Sequence, residues 1–229
     1  MTKKNTLIRL DNVCKTYTMG HVKVKALCGV DLEINQGEFV SIMGPSGSGK
    51  STCVNMVGCL DIPTEGHIFL EEKDISKMDE SDLAQIRGKK IGFIFQQFNL
   101  INTLTAWENV TLPMTFQGTP KEERIKRAQH LLNLVDLGDR MNHKPTELSG
   151  GQQQRVAIAR SLANNPPIIL ADEPTGNLDS KTGVNVMNFL KKLHKEEGKT
   201  IIMVTHDGHL AKMAERIILL KDGKVVKKL

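Results

Sequence analysis

Aromatic residues are scarce in this chain of 229: one tyrosine, one tryptophan and seven phenylalanines, 4% in all. The scarcity does not signal disorder, because 39% hydrophobic and 25% charged residues are ordinary globular values, and the length allows one large domain or a domain with an inserted lobe. Cysteine is also sparse. Cys14, Cys28, Cys53 and Cys59 form no C-x-x-C pair and have no histidine at metal-binding spacing. That excludes a zinc site and a disulfide framework and leaves free, mostly buried thiols of a reducing cytoplasm. No apolar run approaches the ~18 residues of a membrane span, and the amino-terminal MTKKNTLIRLDN has charge without the apolar stretch of a signal peptide. A chain of this kind works at a membrane only by docking onto something that spans it. Charge of one sign is weak too. The net +5 is spread over short clusters such as Lys89-Lys90, Lys191-Lys192 and Lys227-Lys228, without the dense stripe of a nucleic-acid binder. Nucleic acid is therefore not expected as a partner, and the lysines read as solvated surface with a weak pull toward anionic partners or lipid head groups.

What is present is an alternation of strand and helix patterns, without repeats or low-complexity segments. Residues 7–17, 22–34 and 38–43 read as short strands, separated by turn signals at Met19-Gly20 and Asn35-Gln36-Gly37. A helix is predicted over 51–60, STCVNMVGCL, with strands at 67–72 and 90–96. Residues 103–145 read as helical, and 120–137 as an amphipathic helix introduced by Pro120. This segment is a candidate inserted lobe. PPIILAD (166–172) and KTIIMVTHD (199–207) are apolar runs bounded by polar turns, with a helix over 181–198 between them. That is the pattern of a parallel sheet covered on both faces. Two short strands joined by an Asp-Gly turn, 216–223 and 224–228, follow.

The segment GPSGSGKS, residues 44–51, matches the phosphate-loop pattern G-x-x-x-x-G-K-[ST] in full and lies between a predicted strand and a predicted helix. Gly44, Gly47 and Gly49 let backbone N–H groups of the loop, with Pro45, Ser46 and Ser48 between them, turn inward around a phosphate. Lys50 places a point charge on the β/γ oxygens, and the Ser51 hydroxyl ligates Mg²⁺, with Thr52 following. Strand IILA runs into Asp172-Glu173 and strand TIIMVT into His206-Asp207. In an open parallel sheet these ends share the ligand-binding edge with the phosphate loop. Asp172 is expected to hold the metal through a water, Glu173 to polarise the attacking water as general base, and His206 to contact the γ-phosphate. Gln96, after the strand GFIF, is a further candidate for Mg²⁺ or water, with Gln97 structural. Tyr17 reads equally as an adenine-stacking ring and as packing.

LSGGQQQR, residues 148–155, poses a separate question. A serine cap followed by two glycines makes a helix start that a phosphate approaches closely, yet no lysine is present to grip it. GPSGSGKS, the glutamine of IFQQFNL, LSGGQ, IILADE, NLD and VTHD occur in that order, and over nearly its whole length the chain resembles the ATP-binding subunits of ABC transporters. The stretch from His143 to Gly183 is most similar to the branch of lipoprotein-releasing and macrolide- or peptide-exporting machines, and to a related cell-division regulator. The resemblance implies an α/β fold: a P-loop NTPase core with a mainly parallel sheet, an N-terminal antiparallel β lobe and an inserted α-helical lobe. It implies one ABC ATPase domain over 1–229, with 1–95 and 150–229 as β lobe and nucleotide-binding core and 96–149 as helical lobe. It also implies ATP and Mg²⁺, and a head-to-tail homodimer in the ATP-bound state.

In such a dimer Ser149, Gly150, Gly151, Gln152 and Asp179 of one subunit face the ATP of the other, which answers the question of the missing lysine: a grip made only transiently must also release. Asn177, Leu178 and Asp179 are implied to link the two sites, and Asn177 stands where many branches carry serine. The implied partner is an integral membrane permease subunit, reached from the cytoplasmic face of the cell membrane by a peripheral protein. Leu100, Leu104 and Trp107 are candidate contacts for it that at helical spacing read equally as core. DNA-repair and chromosome-organising ATPases share both motifs, but they place a long coiled coil between them, and no sustained heptad pattern occurs here. A regulator of a membrane cell-division complex without transport is the alternative that the residues leave open.

Overall fold

The computed structural model describes residues 5–228; Met1–Lys4, part of the stretch read above as lacking a signal peptide, and Leu229 lie outside it. The chain divides into two compact units. One comprises the described residues up to Arg87 and those from His194 onward, the other Gly88–Leu193.

In the first unit β1 (Thr6–Met19) and β2 (Val22–Asn35) pair antiparallel as strands of 14 residues each, not the short strands expected. Bulges make such length possible. Ile8 and Leu10 are buried, and a register shift at Asn12, whose φ is 46°, brings Val13 rather than Asn12 inward. On β2 the shift at Gly29 (φ 65°) does the same between Leu27 and Val30. These two insertions, one facing the other across the pair, keep the apolar face continuous at this point. β4 (Glu65–Leu70) pairs with the other edge of β1 and β5 (Lys73–Asp74) with β4, giving the order β2-β1-β4-β5. β4 ends before the expected 72 because Glu71 and Glu72 turn the chain at φ 49° and 65°.

The same unit contains a second set of strands. β3 (Phe39–Met43) lies parallel to β8 (Thr200–Thr205) on one side and β9 (Arg216–Lys221) on the other, with β10 (Lys224–Val226) antiparallel to β9. Every residue of β8 is buried, as the uninterrupted apolar run requires. α1 (Lys50–Val57) follows β3 and α7 (Gly208–Ala211) follows β8. The thiols of Cys53 and Cys59 are buried, and burial pushes them up to about 12 and about 11, which makes both inert at neutral pH.

The second unit holds the parallel pair β6 (Ile91–Ile94) and β7 (Ile168–Asp172) with the helices α3 (Ala106–Phe116), α4 (Lys121–Leu134) and α5 (Gly150–Ser161). These helices pack on one another through Val110, Met114, Ala128, Leu131, Leu132 and Val156, all at most 3% exposed. Asn109 is fully buried and organises the loop before α3. Its Oδ1 accepts from Ile101 N–H at 2.8 Å, and its Nδ2 donates to the carbonyls of Ile101, Leu104 and Thr105. α6 (Ser180–Glu197) follows β7, burying Val186, Met187, Leu190 and Leu193 along one stripe. α2 (Glu80–Lys90) was not foreseen from the sequence, because only Leu83 among its residues is buried and it carries no apolar period. No helix among the described residues is long and apolar enough to cross a membrane.

Candidate functional site

Within the first unit, Met43 at the end of β3 pairs in parallel with Thr205 at the end of β8. The residues that follow, Gly44 and His206, therefore leave at the same carboxyl edge, where open parallel sheets receive ligands. The loop from Gly44 needs its glycines. Gly47 and Gly49 have φ of 75° and 95°, which side chains rarely tolerate. A Cβ on Gly44 would lie 2.1 Å from the Leu220 carbonyl oxygen, and one on Gly49 2.5 Å from that of Ala26. The backbone is thus seated on β9 and β2. Lys50 opens α1, and its Nζ donates to the carbonyls of Gly44 at 2.7 Å and Pro45 at 2.8 Å. Its charge lies across the loop at a helix amino end, where the N–H groups and the dipole already favour an anion.

Pro45, Ser46, Gly47 and Ser51 are exposed and Thr52 is half-buried. Ser48 is different. It is buried, with its Oγ 2.5 Å from where a Gly44 Cβ would stand, so its side chain packs the loop and only its main chain is left to meet a phosphate. His206 is exposed. Asp207 beside it caps α7, its Oδ1 accepting from the N–H groups of His209 at 2.7 Å and Leu210 at 3.4 Å. Tyr17 lies inside β1, with its hydroxyl 3.0 Å from Asp61 Oδ2.

Within the second unit, Ile94 pairs in parallel with Ala171, which puts Gln96 and the Asp172-Glu173 pair at one carboxyl edge. Glu173 has φ 46°, a conformation costing about 1 kcal/mol or more that surrounding contacts must hold. Two such contacts are present. The Glu173 carbonyl accepts from Gly176 N–H at 3.0 Å, and the Pro174 carbonyl accepts from Gln154 Nε2 at 2.6 Å. Gln154 is fully buried on α5, so this amide ties the signature helix to the segment carrying Glu173. Sequence reading missed it, although its place on the apolar stripe one turn before Ile158 marks a polar residue turned inward. Asn177 Nδ2 donates to the Gln96 carbonyl at 2.9 Å, and a Cβ on Gly176 would lie 2.8 Å from Gln96 Nε2. Asn177 thus braces the Gln96 loop, a contact the sequence did not announce.

The start of α5 carries a reciprocal cap. Ser149 Oγ accepts from Gln152 N–H at 3.3 Å, and Gln152 Oε1 accepts from Ser149 N–H at 2.9 Å. Ser149 and Gly150 are exposed, while Gly151 approaches Thr182 so closely that a Cβ would stand 2.7 Å from its Cγ2. Asp179 is exposed and caps α6, accepting from Thr182 N–H at 3.0 Å; hydrogen bonds from Thr182 hold its carboxyl below the usual range. Arg160, late in α5, donates to the carbonyls of Phe98 and Asn99 and so fastens the chain just beyond Gln96. Leu178 and Leu100 are half-buried. Leu104 and Trp107 line an open groove of about 240 Å³ between α3 and α4, with Leu112, Lys121, Arg124 and Ile125.

Comparison with known proteins gives this geometry its context. The sequence model of the ABC transporter family matches residues 27–176. The ABC transporter ATP-binding protein MJ0796 of Methanocaldococcus jannaschii is 60% identical over 223 residues, 96% of this chain and 95% of that protein. The macrolide export ATP-binding/permease protein MacB of Brucella melitensis is 52% identical over 220 residues, 96% of this chain, which spans 34% of MacB's length. A solved dimeric structure of the MJ0796 cassette in a post-hydrolysis state, bound to ADP and Pi, has a TM-score of 0.90 at 57% identity, covering 96% of this chain and 97% of that one. Phosphate loop, signature helix and family match agree, and the chain belongs to the ABC transporter family as an ATP-binding, ATP-hydrolysing cassette.

Proposed function

We propose that two copies of this chain close around two ATP molecules and transmit that closure to an integral membrane permease subunit, in a machine of the exporting or lipoprotein-releasing kind. The observation that carries the reading is the pair of phosphate-directed helix starts. α1 has a lysine folded over its loop, whereas α5 has an exposed cap, two glycines and no cation in its first turn. The first suits permanent holding of a nucleotide and the second suits transient contact with a phosphate held by another copy. The dimer solved for MJ0796 supports the pairing, and the similarity to the macrolide export protein MacB supports export.

In this reading Lys50 and the N–H groups of residues 46–50 hold the β- and γ-phosphates, and Tyr17 stacks on adenine. Ser51, Gln96 and Asp172 suit Mg²⁺, being the hard oxygen donors it requires; when bound, the ion neutralises charge on the β/γ oxygens. Glu173 takes the proton of the attacking water, and His206 contacts the γ-phosphate. Ser149, Gly150, Gly151, Gln152 and Asp179 serve the ATP of the partner copy. The α3–α4 groove, with Leu104 and Trp107, receives the permease at the cytoplasmic face of the membrane.

The test has two arms. Lys50→Ala is expected to lose ATP binding by calorimetry, and unchanged affinity overturns the phosphate-loop assignment. Purification from detergent-solubilised membranes is expected to bring down one integral membrane protein, and Trp107→Ala to release it while ATP binding persists. Retention of that protein by the variant overturns the groove as its seat.

A further inference from the structure

We propose that Asp61, together with Lys15, is a positioning residue for the nucleotide base: the pair holds the Tyr17 ring in the attitude in which adenine stacks on it. This rests on the reading of Tyr17 as the adenine platform.

Tyr17 stands near the end of a long hairpin where little else can hold it. Met19 and Val22 beyond it are 64% and 61% exposed, and Val24, its partner on β2, is 42% exposed. An aromatic ring in such a place is free to swing about two torsions unless polar contacts fix it, and freedom lost on binding subtracts from affinity. The contacts are present. The Tyr17 hydroxyl donates to Asp61 Oδ2 at 3.0 Å. The other carboxylate oxygen accepts from Lys15 Nζ at 2.6 Å and from Ile62 N–H at 2.8 Å. Lys15 Nζ donates again to the Ile62 carbonyl at 2.8 Å and lies over the Tyr17 ring, 5.1 Å from its centre. Lys15 and Tyr17 share a face of β1, being two residues apart on a strand. With the ammonium on one face of the ring, a base is left only the other.

The charges are matched to the task. Burial works against ionisation of Asp61, but hydrogen bonds from Lys15, Ile62 N–H and Tyr17 outweigh it and keep the carboxyl below its usual range. Burial, and then the Asp61 carboxylate, raise the phenol above its ordinary value, so it remains a donor at neutral pH. Lys15 cancels the carboxylate's charge, which standing alone beside α1 would repel a polyphosphate. Thr52 and Asn55 of α1 also flank the hydroxyl, so the ring is keyed to the helix that Lys50 opens.

The test compares ATP with inorganic tripolyphosphate, which has the phosphates but no base, by calorimetry on the full chain. Asp61→Ala is expected to weaken ATP about three- to tenfold, a part of what base–aromatic stacking contributes, and not to weaken tripolyphosphate. Tyr17→Phe keeps the ring and removes only the hydroxyl. It is expected to cost as much as Asp61→Ala, and to cost nothing further when the two are combined. Because Tyr17 is the only tyrosine, isotope-labelled tyrosine gives one ring signal by NMR. That signal is expected to move upfield with ATP but not with tripolyphosphate, and to move less in Asp61→Ala. Equal weakening of both ligands, or additive losses in the double variant, overturns the proposal and leaves Asp61 a support of its own turn. A wild-type ring signal unmoved by saturating ATP overturns instead the prior reading of Tyr17 as the platform, whatever the Asp61 variants do.

Discussion

Glu38, the residue before β3, is charged and only 8% exposed. It accepts from Arg216 Nε at 2.6 Å and Nη2 at 3.2 Å, and from Asn35 N–H at 2.9 Å. Burial raises the energy of its charge, but the Arg216 guanidinium and the Asn35 N–H outweigh burial and hold the carboxyl below the usual range. A group whose folded pKa is depressed stabilises the fold above its unfolded pKa, about 4.3, and loses that contribution as pH falls through the folded value. Glu38→Gln is therefore expected to cost about 1–3 kcal/mol at pH 7, the range for a hydrogen-bonded charge. The gap from the natural chain should narrow as pH drops below about 4.3, read by urea unfolding at both ends of that range. A gap of constant size would assign the loss to packing and not to the ion pair.

At the scale of elements, α5 connects the most functions. Its exposed start is set by the Ser149–Gln152 cap, its middle reaches the Glu173 segment through Gln154, and its end holds the chain beyond Gln96 through Arg160. Ser149→Arg is expected to abolish phosphate release while ATP binding to the isolated subunit, measured by calorimetry, is kept. Loss of both together would show the helix start acting within one chain. The same variant forfeits the cap, worth about 1 kcal/mol, and Ser149→Ala separates the two effects by removing the cap without adding bulk. Where α5 ends, it sits directly on β6. A Cβ on Gly92 would lie 2.2 Å from the Ser161 carbonyl oxygen and 3.0 Å from Ile169. Because backbone cannot give way as a side chain does, Gly92→Ala is expected to destabilise by about 1–3 kcal/mol or more. A lower thermal midpoint would show it, and an unchanged one would mean that strand and helix separate freely.

For the molecule as a whole, the proposed cycle is an association controlled by nucleotide. Anything that binds only the paired form shifts the population toward it by mass action. The natural chain is expected to scatter light as a monomer without nucleotide. Glu173→Gln keeps shape and hydrogen bonding but removes the base, so turnover is expected to fall by about a hundred- to ten-thousand-fold. On a sizing column with ATP this variant should elute as a dimer holding two nucleotides, and return to monomer in ADP. Near-normal turnover would take Glu173 out of the reaction, and a monomer in ATP would undo the paired arrangement.

The phosphate loop and the signature were legible because each is a contiguous segment whose form is made by its own backbone. Gly47 and Gly49 allow the positive φ of the loop, Lys50 folds over it from the next helix start, and Ser149 meets its capping partner three positions on. The buried runs of β7 and β8 were equally plain, since continuous apolar sequence has few places to go. Other features belonged to tertiary structure. The length of β1 and β2 depends on bulges, which are properties of a pair of strands and not of either one. α2 has no apolar period to announce it. The polar braces Asp61–Tyr17, Gln154–Pro174 and Asn177–Gln96 join residues whose types are ordinary and whose proximity arises only when the chain has folded. Short-range backbone preference is written in neighbouring residues, whereas a long-range hydrogen bond is decided by which distant donor the fold delivers to it.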